Sequence, residues 1–150
     1  MNPTIEQVVK FGKMYLGIIC KKVATYDSYT WRMLAVHYEP GIIYYPPHGM
    51  FRKQNIIHEY GHYFAATKKQ RGLTNWGLSI YSVGSNSERD QKKEALACKY
   101  EIGFMRIIGF NMLAIRKRAD FLNCNEHIRK LPQIIDDMKK RRPFSVFPGR

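Results

Sequence analysis

Two histidines four residues apart, with a glutamate beside the first, are the residues whose types and spacing most clearly predict chemistry. They lie in IIHEYGHYF, residues 56–64, and are His58, Glu59 and His62. On an α-helix, residues four apart share one side of the axis, so both imidazoles face the same region. Two such imidazoles can bind one metal ion, and the glutamate can reach a metal-bound water without binding the metal. The segment therefore predicts a metal centre with its own general base.

A metal centre of this kind needs a third protein ligand, and a later helix offers several carboxylates. We predict that Glu94 is this third ligand. It begins the segment EALAC, whose small residues would let the later helix approach the histidine helix closely. Asp90, one turn earlier, is the alternative, either as the ligand or as a residue that orients a ligand histidine. Glu101 is interpreted as a solvated charge. The other histidines considered are interpreted as structural or surface residues: His37, His48 and His127.

The elements that must position these residues are mostly helices. Residues 2–24 predict a helix with Asn2 as N-cap and Pro3 in its first position, because apolar residues recur at helical spacing as far as Ile19. The histidine helix is predicted over 53–70, with a basic last turn before a glycine. The buried stripe of this helix is predicted to consist of Ile56, Tyr60, Phe64 and Thr67. A third helix is predicted from Ser87 to residue 109, since Ser87 and Asp90 have capping-box spacing.

The rest of the chain predicts two more helical segments and a small sheet. MLAIRKRADFL and NEHIRKLPQIIDDMKKRR are predicted to be helical, the second with a kink or a late start at Pro132. Residues 31–38 and 42–45 predict two strands, which form a hairpin around the turn at 39–42. The fold class is therefore α+β, mostly helical, with a small β-sheet or hairpin before the histidine helix.

Length, cysteine content and charge limit the class of protein. The 150 residues suit one domain, and the chain shows neither a secretory signal nor an apolar run long enough to span a membrane. Three widely spaced cysteines fit a reducing cytoplasm. The net charge of +13 indicates either solvated helix faces or a field that attracts an acidic protein, a nucleic acid or an anionic surface.

HEYGH followed by a helix carrying KKEALAC resembles the zincin class of metalloproteins, specifically those with a glutamate third ligand. The longer segments IIHEYGHYFAATKKQRGLTNWGL and EALACKYEIGFMRIIGF resemble small bacterial and phage zincin-like proteins and, more distantly, the elongation factor P hydroxylase family. The resemblance covers about residues 40–110. It implies a zincin-like domain with His58, His62 and Glu94 as metal ligands and Glu59 as the catalytic carboxylate. The short linker leaves Asp90 open as the third ligand.

Residues 1–150 are thus interpreted as a single zincin-like domain. Its metal-site core spans about residues 40–110. The core is followed by a basic helical part at 111–142 and a tail at 143–150.

Three functions fit this pattern. The leading hypothesis is a Zn²⁺-dependent metallopeptidase acting on a peptide or protein, in which Glu59 is the general base and a strand at 31–38 or 42–45 holds the extended substrate. Tyr81, Tyr100 and His48 are candidates for stabilising the oxyanion. Two histidines and a carboxylate also suit an Fe²⁺-dependent hydroxylase of protein side chains. The third hypothesis is a basic module that binds nucleic acid or an acidic protein and whose metal site is structural or vestigial.

Overall fold

The computed structural model describes residues 1–23, 36–78 and 88–141, with Arg89 described by its backbone only. The bounds of the α-helices are α1 Ile5–Phe11, α2 Arg52–Ala65, α3 Lys68–Arg71, α4 Glu88–Ile108, α5 Met112–Phe121, α6 Glu126–Arg129 and α7 Leu131–Lys140. The strands are β1 Ile19–Lys22, β2 His37–Glu39 and β3 Ile42–Tyr45. A π-helical segment, Gly12–Leu16, follows α1, and a 3₁₀ segment, Thr74–Gly77, follows α3.

The predicted fold class, mostly helical α+β with a small sheet before the histidine helix, is confirmed. The sheet has three strands in the order β1-β3-β2. The pair β2–β3 is antiparallel, with Tyr38 opposite Ile43, so the predicted hairpin is also confirmed. Its turn uses Gly41 at a φ of 80°, in the left-handed region that glycine adopts without a steric cost. Residues 31–35 of the first predicted strand lie outside the described ranges.

The prediction of one helix over residues 2–24 is wrong at both ends. Thr4, not Asn2, is the N-cap, and it forms a reciprocal capping box with Gln7. The helical part ends at Gly17, whose φ of 68° turns the chain into β1. β1 then pairs in parallel with β3, with Ile19 opposite Ile42. The apolar run across the boundary has no periodicity that separates a helix end from a short strand.

The histidine helix is shorter than predicted, because the segment predicted over 53–70 contains two helices. α2 ends at Ala65, and Ala66 has an extended backbone with a ψ of 148°. Thr67 then caps α3 by accepting a hydrogen bond from the backbone of Gln70, whose side chain bonds back to Thr67. Thr67 is exposed and not part of the buried stripe predicted for this helix. A threonine and a glutamine three apart start a new helix here.

The bounds of the later helices agree closely with those predicted from the sequence. α4 covers the described part of the third predicted helix, while Ser87 lies outside the described ranges. α5 matches its prediction, and the last segment divides into α6 and α7 with Pro132 in the first turn of α7, so the late start is confirmed. In α7 the buried residues are Leu131, Ile134 and Met138.

The longest of these helices, α4, has 21 residues, and charged side chains occur along it. Across the three described ranges, a helix both long and apolar enough to cross a membrane is absent.

The core is built around the packing of α2 on α4. Ile56, Tyr60 and Phe64 form the buried stripe of α2, as predicted. Between them, Gly61 allows the two helix backbones to touch, because a Cβ at this position would lie 2.3 Å from the carbonyl oxygen of Ala97. This close approach brings the histidines of α2 within reach of the carboxylates of α4.

We expect Gly61→Ala to lower the free energy of unfolding by about 1–3 kcal/mol, since the added methyl group forces α2 and α4 apart. This loss exceeds the gain of about 1 kcal/mol that alanine brings inside a helix. Urea denaturation followed by circular dichroism measures the change. Gly72→Ala is the matched control, because its Cβ would meet nothing closer than 3.5 Å. Equal stability of the two variants would contradict the close packing.

Candidate metal centre

The structure brings His58, His62 and Glu94 together at the junction of α2 and α4. One carboxylate oxygen of Glu94 lies 3.0 Å from Nε2 of His58, and the other lies 2.9 Å from Nε2 of His62. The two imidazole rings are nearly perpendicular, at 86°, with centroids 4.9 Å apart. Within residues 1–23, 36–78 and 88–141, these three are the group whose ligand atoms all lie within 4.8 Å of one another.

The side chains of this group are of the types that bind zinc in proteins. Zinc bonds to imidazole nitrogen and carboxylate oxygen are about 2.0–2.2 Å long, which places neighbouring ligand atoms of a tetrahedral site about 3.3 Å apart. The observed separations of 2.9 and 3.0 Å need only a small opening to reach this value. The Glu94 side chain is 40% exposed, so solvent reaches the group from that side. Zinc sites with three protein ligands leave the fourth position to water or substrate.

Hydrogen bonds together outweigh burial in setting the pKa values of His58 and Glu94. Burial by itself lowers the pKa of His58, but hydrogen bonds to Cys98, Glu101 and Glu94 outweigh it and raise the pKa well above its ordinary value. Burial raises the pKa of Glu94, but its hydrogen bonds to both histidines outweigh burial and hold the pKa well below its ordinary value. Both shifts favour the charged forms of His58 and Glu94, which lie within hydrogen-bonding distance of each other.

Asp90, the alternative third ligand, is buried in α4 but does not belong to the group of converging ligand atoms found among the described residues. The other histidines lie elsewhere. His37 stacks on Tyr44 within the sheet, His48 is exposed in the loop before α2, and His127 lies beside Glu126 in α6. A carboxylate of another α4 residue lies at Nδ1 of His58, on the side of the ring away from Glu94.

That carboxylate belongs to Glu101, and its interpretation as a solvated charge is wrong. Glu101 is fully buried, and its Oε1 lies 2.7 Å from Nδ1 of His58. Arg118 of α5 donates from Nε to the other oxygen of Glu101 at 2.5 Å and from Nη2 to the side-chain oxygen of Asn55 at 3.0 Å. Glu94 and Glu101 are seven residues apart and share a helix face, and this spacing was the available signal.

Trp76 fixes the proposed general base. Its indole nitrogen donates a 2.8 Å hydrogen bond to the carboxylate of Glu59. The indole ring stacks on Tyr38 at 3.5 Å and lies nearly parallel to the His62 ring at 6.1 Å. Trp76 has a φ of 60°, an uncommon conformation for a bulky residue, so the 3₁₀ segment holds the ring in place at a steric cost. No periodic pattern around Trp76 indicates this role.

Of the three residues considered for oxyanion stabilisation, Tyr100 is held by contacts with Arg141 and Phe64. The Tyr100 hydroxyl accepts a 2.8 Å hydrogen bond from Arg141, and its ring packs on Phe64. His48 is exposed in its loop, and Tyr81 lies outside the described ranges.

One of the two strands considered for substrate binding is excluded. β3, residues 42–45, is the middle strand and pairs with β1 on one side and with β2 on the other, so the prediction that it holds a peptide by main-chain pairing is wrong. Among the described residues, β2 lies at the edge of the sheet, next to the 3₁₀ segment that carries Trp76.

Comparison of the chain with protein-family models, curated proteins and solved structures finds no match in any of the three.

We expect Arg118→Met to lower the free energy of unfolding by about 3–5 kcal/mol, because it leaves the buried Glu101 carboxylate without its opposite charge. Arg116→Met is the matched control, since Arg116 is exposed on the same helix, and we expect a change within about 0.5 kcal/mol. Urea denaturation measures both. A loss for Arg118→Met no larger than that of the control would show that the buried pair contributes nothing to stability.

Proposed function

We propose that this protein is a zinc-dependent hydrolase that cleaves peptides or proteins. The observation that carries the proposal is the separation of four side chains into two roles. His58, His62 and Glu94 converge on one point, whereas Glu59 stays outside that group and is held by Trp76. A metal-assisted hydrolase needs both parts, a set of ligands with an open position and a separate base.

His58, His62 and Glu94 would hold the zinc ion. When bound, zinc lowers the pKa of a water molecule toward neutrality and polarises the carbonyl group of the substrate. The 40% exposure of the Glu94 side chain favours entry of water and substrate from that side. The deeper burial of the two histidines, whose side chains are 17% and 6% exposed, favours a fixed position for the ion.

Glu59 would act as the general base and then as the general acid. It takes a proton from the attacking water and passes it to the leaving amine, which needs a carboxylate in a fixed orientation. The hydrogen bond from Trp76 supplies this orientation and leaves the second carboxylate oxygen to receive the proton. The presence of this base favours hydrolysis over iron-dependent hydroxylation, because oxygen activation requires no base at this position.

An extended peptide is the substrate that the surrounding structure favours. β2 is an edge strand, and its Tyr38 stacks on Trp76, which in turn contacts Glu59. A peptide that paired with β2 would therefore pass close to the base. The free thiols of Cys20, Cys98 and Cys124 favour a reducing compartment, the cytoplasm, as the place of action.

We expect Glu59→Gln to abolish hydrolysis while it preserves the fold and the bound zinc, since the amide keeps the shape and loses the basic oxygen. The measurement is cleavage of a peptide library, with the zinc content of each sample determined by mass spectrometry. Each protein is purified without oxygen and without added metal, and His58→Ala is the control that loses the metal. Peptide cleavage by zinc-loaded Glu59→Gln would contradict the mechanism, and stoichiometric iron in the wild type would support the hydroxylase.

We expect Trp76→Phe to lower kcat about 10- to 100-fold with zinc content unchanged, since a hydrogen bond to a charged group contributes about 1.5–3 kcal/mol. Phenylalanine keeps an aromatic ring against Tyr38 and removes only the indole donor. Steady-state kinetics on the best library peptide measures the change. Tyr63→Phe is the control, because Tyr63 packs edge-on against Trp76 without being the donor to Glu59. An unchanged kcat in Trp76→Phe would remove the indole from the mechanism.

A further inference from the structure

We propose that Glu101, Arg118 and Asn55 form a positioning network, here called the Glu101 clamp, that orients His58 and thereby sets the affinity of the site for zinc. The inference rests on the proposed function for the identity of the metal. It makes α5, which lies outside the part of the chain that carries the ligands, a component of the metal site. None of the three residues is a ligand or a catalytic residue.

The clamp acts on the nitrogen of His58 that faces away from the ligand group. Nε2 of His58 points to Glu94, whereas Nδ1 lies 2.7 Å from Oε1 of Glu101. A proton held on Nδ1 by this carboxylate leaves the lone pair of Nε2 for the metal. The two contacts, one at each ring nitrogen, also fix the rotation of the ring. Glu101 thus selects the tautomer and the orientation that bind a metal.

Glu101 is itself held rigidly. Its side chain is 0% exposed, and it lies against the Arg118 guanidinium, which approaches Oε2 from Nε and Oε1 from Nη2. A buried carboxylate needs such an opposite charge, and a forked guanidinium bond restricts direction as well as distance. Glu101 therefore cannot swing away from His58 without breaking its contacts with Arg118.

The network returns to the helix that carries the histidines. Nη2 of Arg118 donates to Oδ1 of Asn55, which lies three residues before His58 on the same helix. Arg118 thereby joins α5 to both α4 and α2. The position of His58 relative to Glu94 then depends on three helices, and not only on the packing of α2 against α4.

The test is the zinc affinity of Glu101→Gln, measured by competition with a chromogenic chelator, together with the visible absorption spectrum of the cobalt(II) form. Glutamine keeps the length and a hydrogen-bonding oxygen but loses the negative charge. We expect zinc binding to weaken about 10- to 100-fold and the cobalt bands to shift, because the geometry at His58 changes. Glu88→Gln is the matched control. Glu88 lies on the same helix with its side chain 83% exposed, and we expect its zinc affinity within twofold of the wild type.

A second variant separates the clamp from simple instability. Glu101→Gln combined with Arg118→Met removes both buried charges, so neither is left alone, and circular dichroism checks its fold. We expect this double variant to lose as much zinc affinity as Glu101→Gln. Wild-type affinity and an unchanged cobalt spectrum in the folded variants would overturn the proposal, as would an equal loss in Glu88→Gln.

The outcomes for the clamp and for the proposed function are distinct. A wild-type protein that binds zinc and cleaves no peptide, with weakened binding in Glu101→Gln, overturns the hydrolase and supports the clamp. Peptide cleavage by the wild type with unaltered zinc affinity in Glu101→Gln supports the hydrolase and overturns the clamp. A wild-type protein that binds no zinc overturns both.

Discussion

The contact between the backbones of α2 and α4 is the constraint on which the rest of the site depends. Gly61 leaves no side chain between the helices, and the carbonyl oxygen of Ala97 occupies the space that a Cβ would need. Because the interhelical distance is set at this point, His58 and His62 reach the carboxylate of Glu94 at 2.9–3.0 Å. Glycine lowers the stability of a helix, but at position 61 it allows the two backbones to come closer than a larger residue would permit.

The buried pair of Glu101 and Arg118 is difficult to explain by stability alone. Removing two charges from water costs several kcal/mol per ion, and well-packed apolar residues of similar volume often stabilise a protein as much or more. The rings of Phe51 and Phe121 lie 5.9 and 5.4 Å from the guanidinium carbon of Arg118, so an apolar replacement would have packing partners. A buried carboxylate at Nδ1 of His58 does something that an apolar residue cannot do, because it accepts a hydrogen bond from the imidazole N–H. The presence of the charge pair therefore favours a role in the site.

The sequence predicted those features of the site that depend on residues close together in the chain. The spacing of His58 and His62, the small residues after Glu94 and the stripe of Ile56, Tyr60 and Phe64 follow from helical periodicity, and the structure brings these residues together as expected. The predicted helix boundaries were wrong where a glycine or a capping residue ended a helix within a periodic apolar pattern. Gly17 turned the chain into a strand, and the capping box at Thr67 started a new helix.

The features that the sequence did not predict depend on contacts between distant segments. Arg118 stands in the run RKR, where charge composition suggests a solvated surface, yet it pairs with a carboxylate 17 residues earlier and an amide 63 residues earlier. Trp76 stands in an irregular connection with no period to indicate which way its ring points. The candidate ligands His58 and His62 belong to a local motif, whereas the contacts that His58 and Glu59 make with Glu101 and Trp76 depend on tertiary packing. Arg118 lies in the part predicted to be basic, 111–142, and its guanidinium contacts Glu101 in the predicted metal-site core, 40–110.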